Sequence, residues 1–133
     1  MLDMVKYAQM FMGTKYTWGG NTPEEGFDCS GFIIEVLRSS IIIPHDMTAQ
    51  QLMYYLIDDL GADQIVGKEN FDVEDIIFYG KNMSNISHVS MYLGKRRIIE
   101  AGGEGRVQTN KGFVRIRPLD YRDHDIVCAA RIY

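Results

Sequence analysis

Cys29 stands in the segment Phe27-Asp28-Cys29-Ser30-Gly31-Phe32, where a glycine-rich loop meets an apolar pattern of helical period. A thiol at a helix N-terminus feels the positive end of the macrodipole and the free N–H groups of the first turn. Both favour the thiolate, which is the nucleophilic form. The same N–H groups, that of Cys29 included, suit the oxyanion of a tetrahedral intermediate. The nearby glycines keep side chains clear of an approaching substrate backbone. A lone cysteine is ordinarily a small buried hydrophobe. Cys128, between Val127 and Ala129, fits that description; Cys29, between Asp28 and Ser30, does not.

A cysteine nucleophile needs a base. His45 follows Pro44 in a loop and His124 sits between Asp123 and Asp125, so both read as surface residues. His88 opens a strand pattern over 88–93 in which Val89, Met91 and Leu93 share one face. His88, Ser90 and Tyr92 share the other, which places the imidazole to line a cleft. The competing reading is a hydrogen-bonded structural histidine. Glu100 lies in the next strand pattern, with Gly94-Lys95-Arg96 as the turn between them. An odd number of loop residues puts His88 and Glu100 on one face within side-chain reach, whereas a two-residue turn sends Glu100 to the other. On the same face, Glu100 can orient the imidazole and stabilise the imidazolium. Otherwise Glu100 is a solvated carboxylate or a partner for Arg97.

Elements must bring these residues together. Val5, Ala8 and Phe11–Met12, with Leu2 before them, predict a first helix that Asp3 starts and Gly13 ends. A second helix is predicted from about residue 30, with Phe32, Ile33, Val36 and Leu37 on one stripe, and Pro44 closes that region. A third spans 48–60, with Ala49, Leu52, Met53, Leu56 and Leu60 inward and Gly61 as its stop. The period then changes: 75–79, 88–93, 97–101, 113–116 and 126–132 read as strands. Helices followed by strands predict an α+β fold, N-terminal helices packed on a C-terminal antiparallel sheet.

The chain has 133 residues, enough for one domain with its own core, and residues 1–133 are read as a single domain. It carries 14 Lys+Arg against 18 Asp+Glu, a net charge of −4, which argues against nucleic acid as a partner. No apolar stretch is long enough to enter a membrane as a helix. The first residues hold Asp3 and Lys6 within an amphipathic pattern, so no secretory leader is expected. Two cysteines cannot build a disulfide framework. The histidines and cysteines lack metal-ligand spacing, so no metal or other cofactor is expected.

Taken in order, YTWGG, FDCSGF, IPHDMTAQQL, EDIIFYG, SHVSMYLG and IIEAGG resemble the NlpC-type cell-wall peptidases, papain-like cysteine hydrolases. The pairing of DCSGF with HVSMYLG is the specific part. The resemblance implies Cys29 as nucleophile, His88 as base and Tyr16 beside the nucleophile. It makes Asp28 and Ser30 candidate contacts for a free N-terminal amine of the substrate, with Trp18 of YTWGG a further substrate contact. Such enzymes cleave peptidoglycan stem peptides, commonly between D-glutamate, through its γ-carboxyl, and a diamino acid. Glu100 departs from the family, which usually has His there and sometimes Asn or Gln; a carboxylate is similar to the choice of the CHAP group. Glu74 departs too, where the family favours Gly.

The resulting expectation is a cysteine endopeptidase working through a Cys29 thioester. Its rivals are an inactive wall-binding or phage-tail structural protein that keeps the fold, and an amidase or acyltransferase acting on another substrate. A wall hydrolase acts in the periplasm or cell wall. The chain is then either a fragment of a larger exported multidomain protein, or is released by lysis or with a virion of phage origin.

Overall fold

The computed structural model describes residues 3–102 and 112–132; Leu2 of the first helical pattern and Gly103 of IIEAGG lie outside the described residues. Asp3 starts helix α1 (Met4–Gln9) as expected, accepting hydrogen bonds from the Val5 and Lys6 N–H groups. A two-residue hairpin pair follows, β1 (Asn21–Thr22) against β2 (Gly26–Phe27), and leads directly into α2 (Cys29–Leu37). Phe27 is fully buried, its ring 5.5 Å from that of Phe11 and 5.8 Å from that of Phe32. This aromatic cluster fixes the residue two before the thiol. Truncating Phe27 to Ala removes about 3–5 kcal/mol of core stability.

Helix α3 (Ala49–Tyr54) begins with a reciprocal capping box between Thr48 and Gln51. The sequence pattern carries this helix as α to residue 60. Instead, Tyr55–Asp59 wind as a π turn, and the Leu60 N–H donates to the Tyr55 carbonyl five residues back at 2.9 Å. The wider winding rotates later residues off the α stripe. Leu56 remains buried, but Leu60, expected inward, is 46% exposed.

The second half forms a six-stranded antiparallel sheet, which confirms the α+β reading. Its strands are β3 (Asp63–Ile65), β4 (Ile76–Gly80), β5 (Ile86–Gly94), β6 (Arg97–Gly102), β7 (Phe113–Pro118) and β8 (Ile126–Arg131), in spatial order β3-β8-β4-β5-β6-β7. One face packs Val89, Met91, Ile99, Phe78 and Cys128 against the helices. The other packs Ile77, Tyr79, Tyr92 and Ile98 beneath Leu119, the first residue of a 3-10 segment, Leu119–Asp125. Strand β3, absent from the sequence reading, has three residues with little burial and hence no apolar alternation to detect.

Two irregularities in β5 bear on the site. Its pairing with β4 runs Tyr79 to His88 and then Gly80 to Ile86, so Ser87 is an extra residue immediately before His88. His88 is therefore the third residue of its strand, not the first. At the other end, Tyr92 pairs with Ile98 and Gly94 with Arg97, leaving Leu93 as a second bulge. The turn itself is two residues, Lys95 and Arg96, both at positive φ as a primed hairpin turn requires. By the parity rule, that turn sends Glu100 away from His88. The Leu93 bulge restores the odd count between Tyr92 and Ile98, and the two side chains share a face.

Candidate active site

The loop that delivers Cys29 is tied to the strands on both sides of it. Thr17 N–H donates to the Phe27 carbonyl at 2.9 Å, Tyr16 N–H to the Gly112 carbonyl at 2.8 Å, and Asp28 N–H to the Gly20 carbonyl at 3.0 Å. Asp28 is the N-cap of α2: its Oδ1 accepts from the Gly31 N–H at 2.7 Å and from the Ser30 hydroxyl at 3.3 Å. Gly31 has no room for a side chain, since a Cβ there would overlap the Gly20 carbonyl oxygen. The helix start is thereby pressed against the glycine loop, with Cys29 as its first residue and half-buried.

Gln50 links α3 to the strand carrying the histidine. Its Oε1 accepts from the Ile86 N–H at 2.8 Å, and its Nε2 donates to the Met83 carbonyl at 2.8 Å. Two residues on, His88 is buried with its Nε2 2.7 Å from Glu100 Oε1. That contact occupies Nε2 and leaves Nδ1 for the thiol. Burial on its own pushes the imidazole down, but hydrogen bonds to Cys29 and Glu100, with their charges, outweigh it and lift His88 to about 9.

Glu100 is completely buried. Its Oε1 also accepts a hydrogen bond from the Tyr121 hydroxyl, and its Oε2 accepts from Arg115 Nε at 3.0 Å. Burial raises a carboxyl, yet His88, Tyr121 and Arg115 together hold Glu100 down at about 2. The sequence offered Arg97 as the cationic partner; the structure supplies Arg115, which faces Glu100 directly across β6 and β7. Tyr121 and Arg115 were not found from sequence. For Arg115 the one available signal was cross-strand charge complementarity, which requires the register to be known, and Tyr121, in the 3-10 segment, had none.

Tyr16 is buried beside the thiol, and burial followed by the charges of Cys29 and Asp28 pushes its hydroxyl up to about 12. It therefore stays a hydrogen-bond donor at neutral pH. A cleft of about 960 Å³ is lined by Tyr16, Trp18, Asp28, Cys29, Ser30, His88 and Glu100, so every site residue expected from sequence borders one space. Trp18 is 53% exposed at that cleft, while Ser30 is buried and Asp28 half-buried. Asp46 joins them, receiving a hydrogen bond from Asn21 and lying 3.7 Å from Arg38. The other histidines and Cys128 lie apart: His45 and His124 are exposed, and Cys128 is buried in the core. A cysteine, a proton-bearing imidazole and a fixed carboxylate in one open cleft can perform nucleophilic acyl transfer.

The model of the NlpC/P60 family matches residues 13–119. The probable peptidoglycan endopeptidase LytE of Bacillus subtilis (strain 168) is 35% identical over 102 residues, covering 77% of this chain and 27% of LytE. The gamma-D-glutamyl-L-lysine dipeptidyl-peptidase of Bacillus cereus (strain ATCC 10987 / NRS 248) is 32% identical over 102 residues, covering 74% of this chain and 28% of that protein. The chain thus spans about a quarter of the length of the curated relatives it matches. Among solved structures, the P60 domain of the M. avium subspecies paratuberculosis antigen MAP1204 aligns with a TM-score of 0.70 and 26% identity, covering 97% of this chain and 91% of that one.

Proposed function

The chain belongs to the NlpC/P60 family, and from that premise we propose that it is a cysteine endopeptidase acting on the stem peptides of bacterial peptidoglycan. The observation that carries this reading is the placement of Cys29, His88 and Glu100 around one cleft, with Glu100 bonded to His88. The bond cleaved is of the D-γ-glutamyl–diamino acid type, a choice supported by the name of the B. cereus relative. Residues 1–133 act as one NlpC-like peptidase domain, and the site of action is the periplasm or cell wall.

The Cys29 thiolate attacks the scissile carbonyl carbon, forming a C–S bond as the carbonyl π electrons move onto oxygen. The oxyanion is received by the Cys29 N–H at the start of α2, with the Tyr16 hydroxyl as a second donor. His88 holds its proton at neutral pH, so it enters the reaction as the acid. Collapse of the intermediate breaks the C–N bond as His88 protonates the departing amine, leaving a thioester on Cys29. The now neutral imidazole takes a proton from water, whose oxygen attacks the thioester carbonyl. Cleavage of the C–S bond releases the acid and returns Cys29 and His88 to their starting states. Glu100 stabilises the imidazolium whenever His88 carries its second proton, and orients the ring when it does not. Asp28 and Ser30 face the substrate's free amine, and Trp18 provides an apolar wall.

Incubation of purified stem peptides with wild type and Cys29→Ala tests this. Cleavage by the wild type alone is expected; equal cleavage by both overturns the assignment.

A further inference from the structure

We propose that Arg115 and Tyr121 are positioning residues that hold the Glu100 carboxylate against His88, making a four-residue cluster the working unit. This rests on the reading of Cys29 and His88 given above.

Both carboxylate oxygens are engaged: Oε1 by His88 and Tyr121, Oε2 by Arg115 at 3.0 Å. A buried carboxylate requires compensation for its lost hydration. His88 cannot supply this alone, because the cycle leaves it neutral once it has protonated the leaving group. Arg115 keeps its charge at every step. It therefore keeps Glu100 ionised during the interval when the imidazole is neutral, and Tyr121 adds an uncharged donor.

The surroundings are shaped for this cluster. A Cβ at Gly102 would lie 2.5 Å from Glu100 Oε2 and 2.6 Å from Arg115 Nη2, so a glycine leaves the pair its space. Tyr121 sits under the Arg117 guanidinium, 4.3 Å from the ring centroid. Its neighbour Asp120 is bound by Arg96 at 2.7 and 2.8 Å and by Lys68 at 3.2 Å. Tyr79 and Arg122 also face Glu100, and Cys29 faces His88.

Without Arg115, Glu100 takes up its proton at a higher pH, and its support of the imidazolium is lost earlier as the solution is acidified. The test measures stem-peptide hydrolysis and, separately, the pH dependence of Cys29 alkylation by iodoacetamide, using the full chain. Arg115→Gln is expected to lower kcat about ten-fold, the effect of losing one charge-assisted hydrogen bond, and leave KM within about two-fold. It should also move the acid limb of alkylation up by about one pH unit. Arg115→Lys, which keeps the charge, should restore most of both; Tyr121→Phe should shift the limb the same way by less. A wild-type limb in Arg115→Gln, a loss confined to KM, or equal defects in the Lys and Gln variants overturns the proposal. Should Arg115→Gln not fold, Tyr121→Phe removes only one oxygen and decides the question by whether the limb moves. Alkylation needs no substrate, so hydrolysis by Cys29→Ala would overturn the function while this result still stands or falls by itself.

Discussion

His88 and Glu100 meet on a diagonal between adjacent antiparallel strands, Nε2 to Oε1 at 2.7 Å, while their register partners are Tyr79 and Arg115. Diagonal neighbours are farther apart than facing ones, and a long side chain such as glutamate spans the difference. An aspartate at 100 would be one methylene short of the same reach.

Glu100→Gln keeps the shape of the side chain and removes its charge. That charge helps to lift His88, so the imidazole midpoint is expected to fall below about 9, as read by NMR titration of the ring. Hydrolysis of stem peptide should drop by about 10²- to 10⁴-fold, as for amide replacement of an orienting carboxylate. An unmoved midpoint would show that the carboxylate does not act on the imidazole.

The same pair makes folding stability depend on pH from both sides. Glu100 is held near 2, below its ordinary 4.5, so its contribution is complete above pH 4.5 and is lost as the pH falls toward 2. His88 is lifted to about 9 from 6.5, so its contribution is complete below pH 6.5 and is lost as the pH rises toward 9. Urea midpoints should therefore be highest between 4.5 and 6.5 and decline on either side. A Glu100→Gln variant whose acid decline matches the wild type would contradict this.

The two cysteines should react very differently. Cys128 is buried beneath the helices, and burial pushes its thiol up to about 11. Cys29 lines the open cleft. Brief treatment of native protein with iodoacetamide at neutral pH should give a single adduct by mass spectrometry, located on Cys29. The Cys29→Ala protein should stay unmodified until it is unfolded.

Glu74 adopts φ +75°, a left-handed conformation that costs a residue with a Cβ about 1–2 kcal/mol. Its N–H donates to the Tyr92 carbonyl at 2.9 Å, so the backbone cannot relax without breaking a sheet contact. Glu74→Gly removes that strain but adds freedom to the unfolded chain, for a net gain of about 0.5–1 kcal/mol. Glu74→Val should lose stability, because a β-branched residue tolerates this region least. Denaturant midpoints measure both.

Much of the site was legible because its signals are local. The loop-to-helix junction marked Cys29, and strand alternation marked the face of His88. The departure at Glu74 was also visible, and the backbone supplies its cause: glycine suits φ +75° better than glutamate does. Arg115 and Tyr121 were not legible, because they reach Glu100 through a strand register and the path of a 3-10 segment. Leu60 was misplaced because nothing in its neighbours announces five-residue winding. The hairpin was half read. The parity rule held, but a two-residue turn and a bulge together produced the odd count.

That bulge ties loop length to chemistry as a reading frame ties codons to meaning. Paired without the bulge, with every residue and the same turn kept, Met91 on the helix side would face Glu100 in place of Ile99 and turn the acid toward the helices. The carboxylate partner of the histidine thus depends on one unpaired residue near the hairpin end, and not on the turn alone.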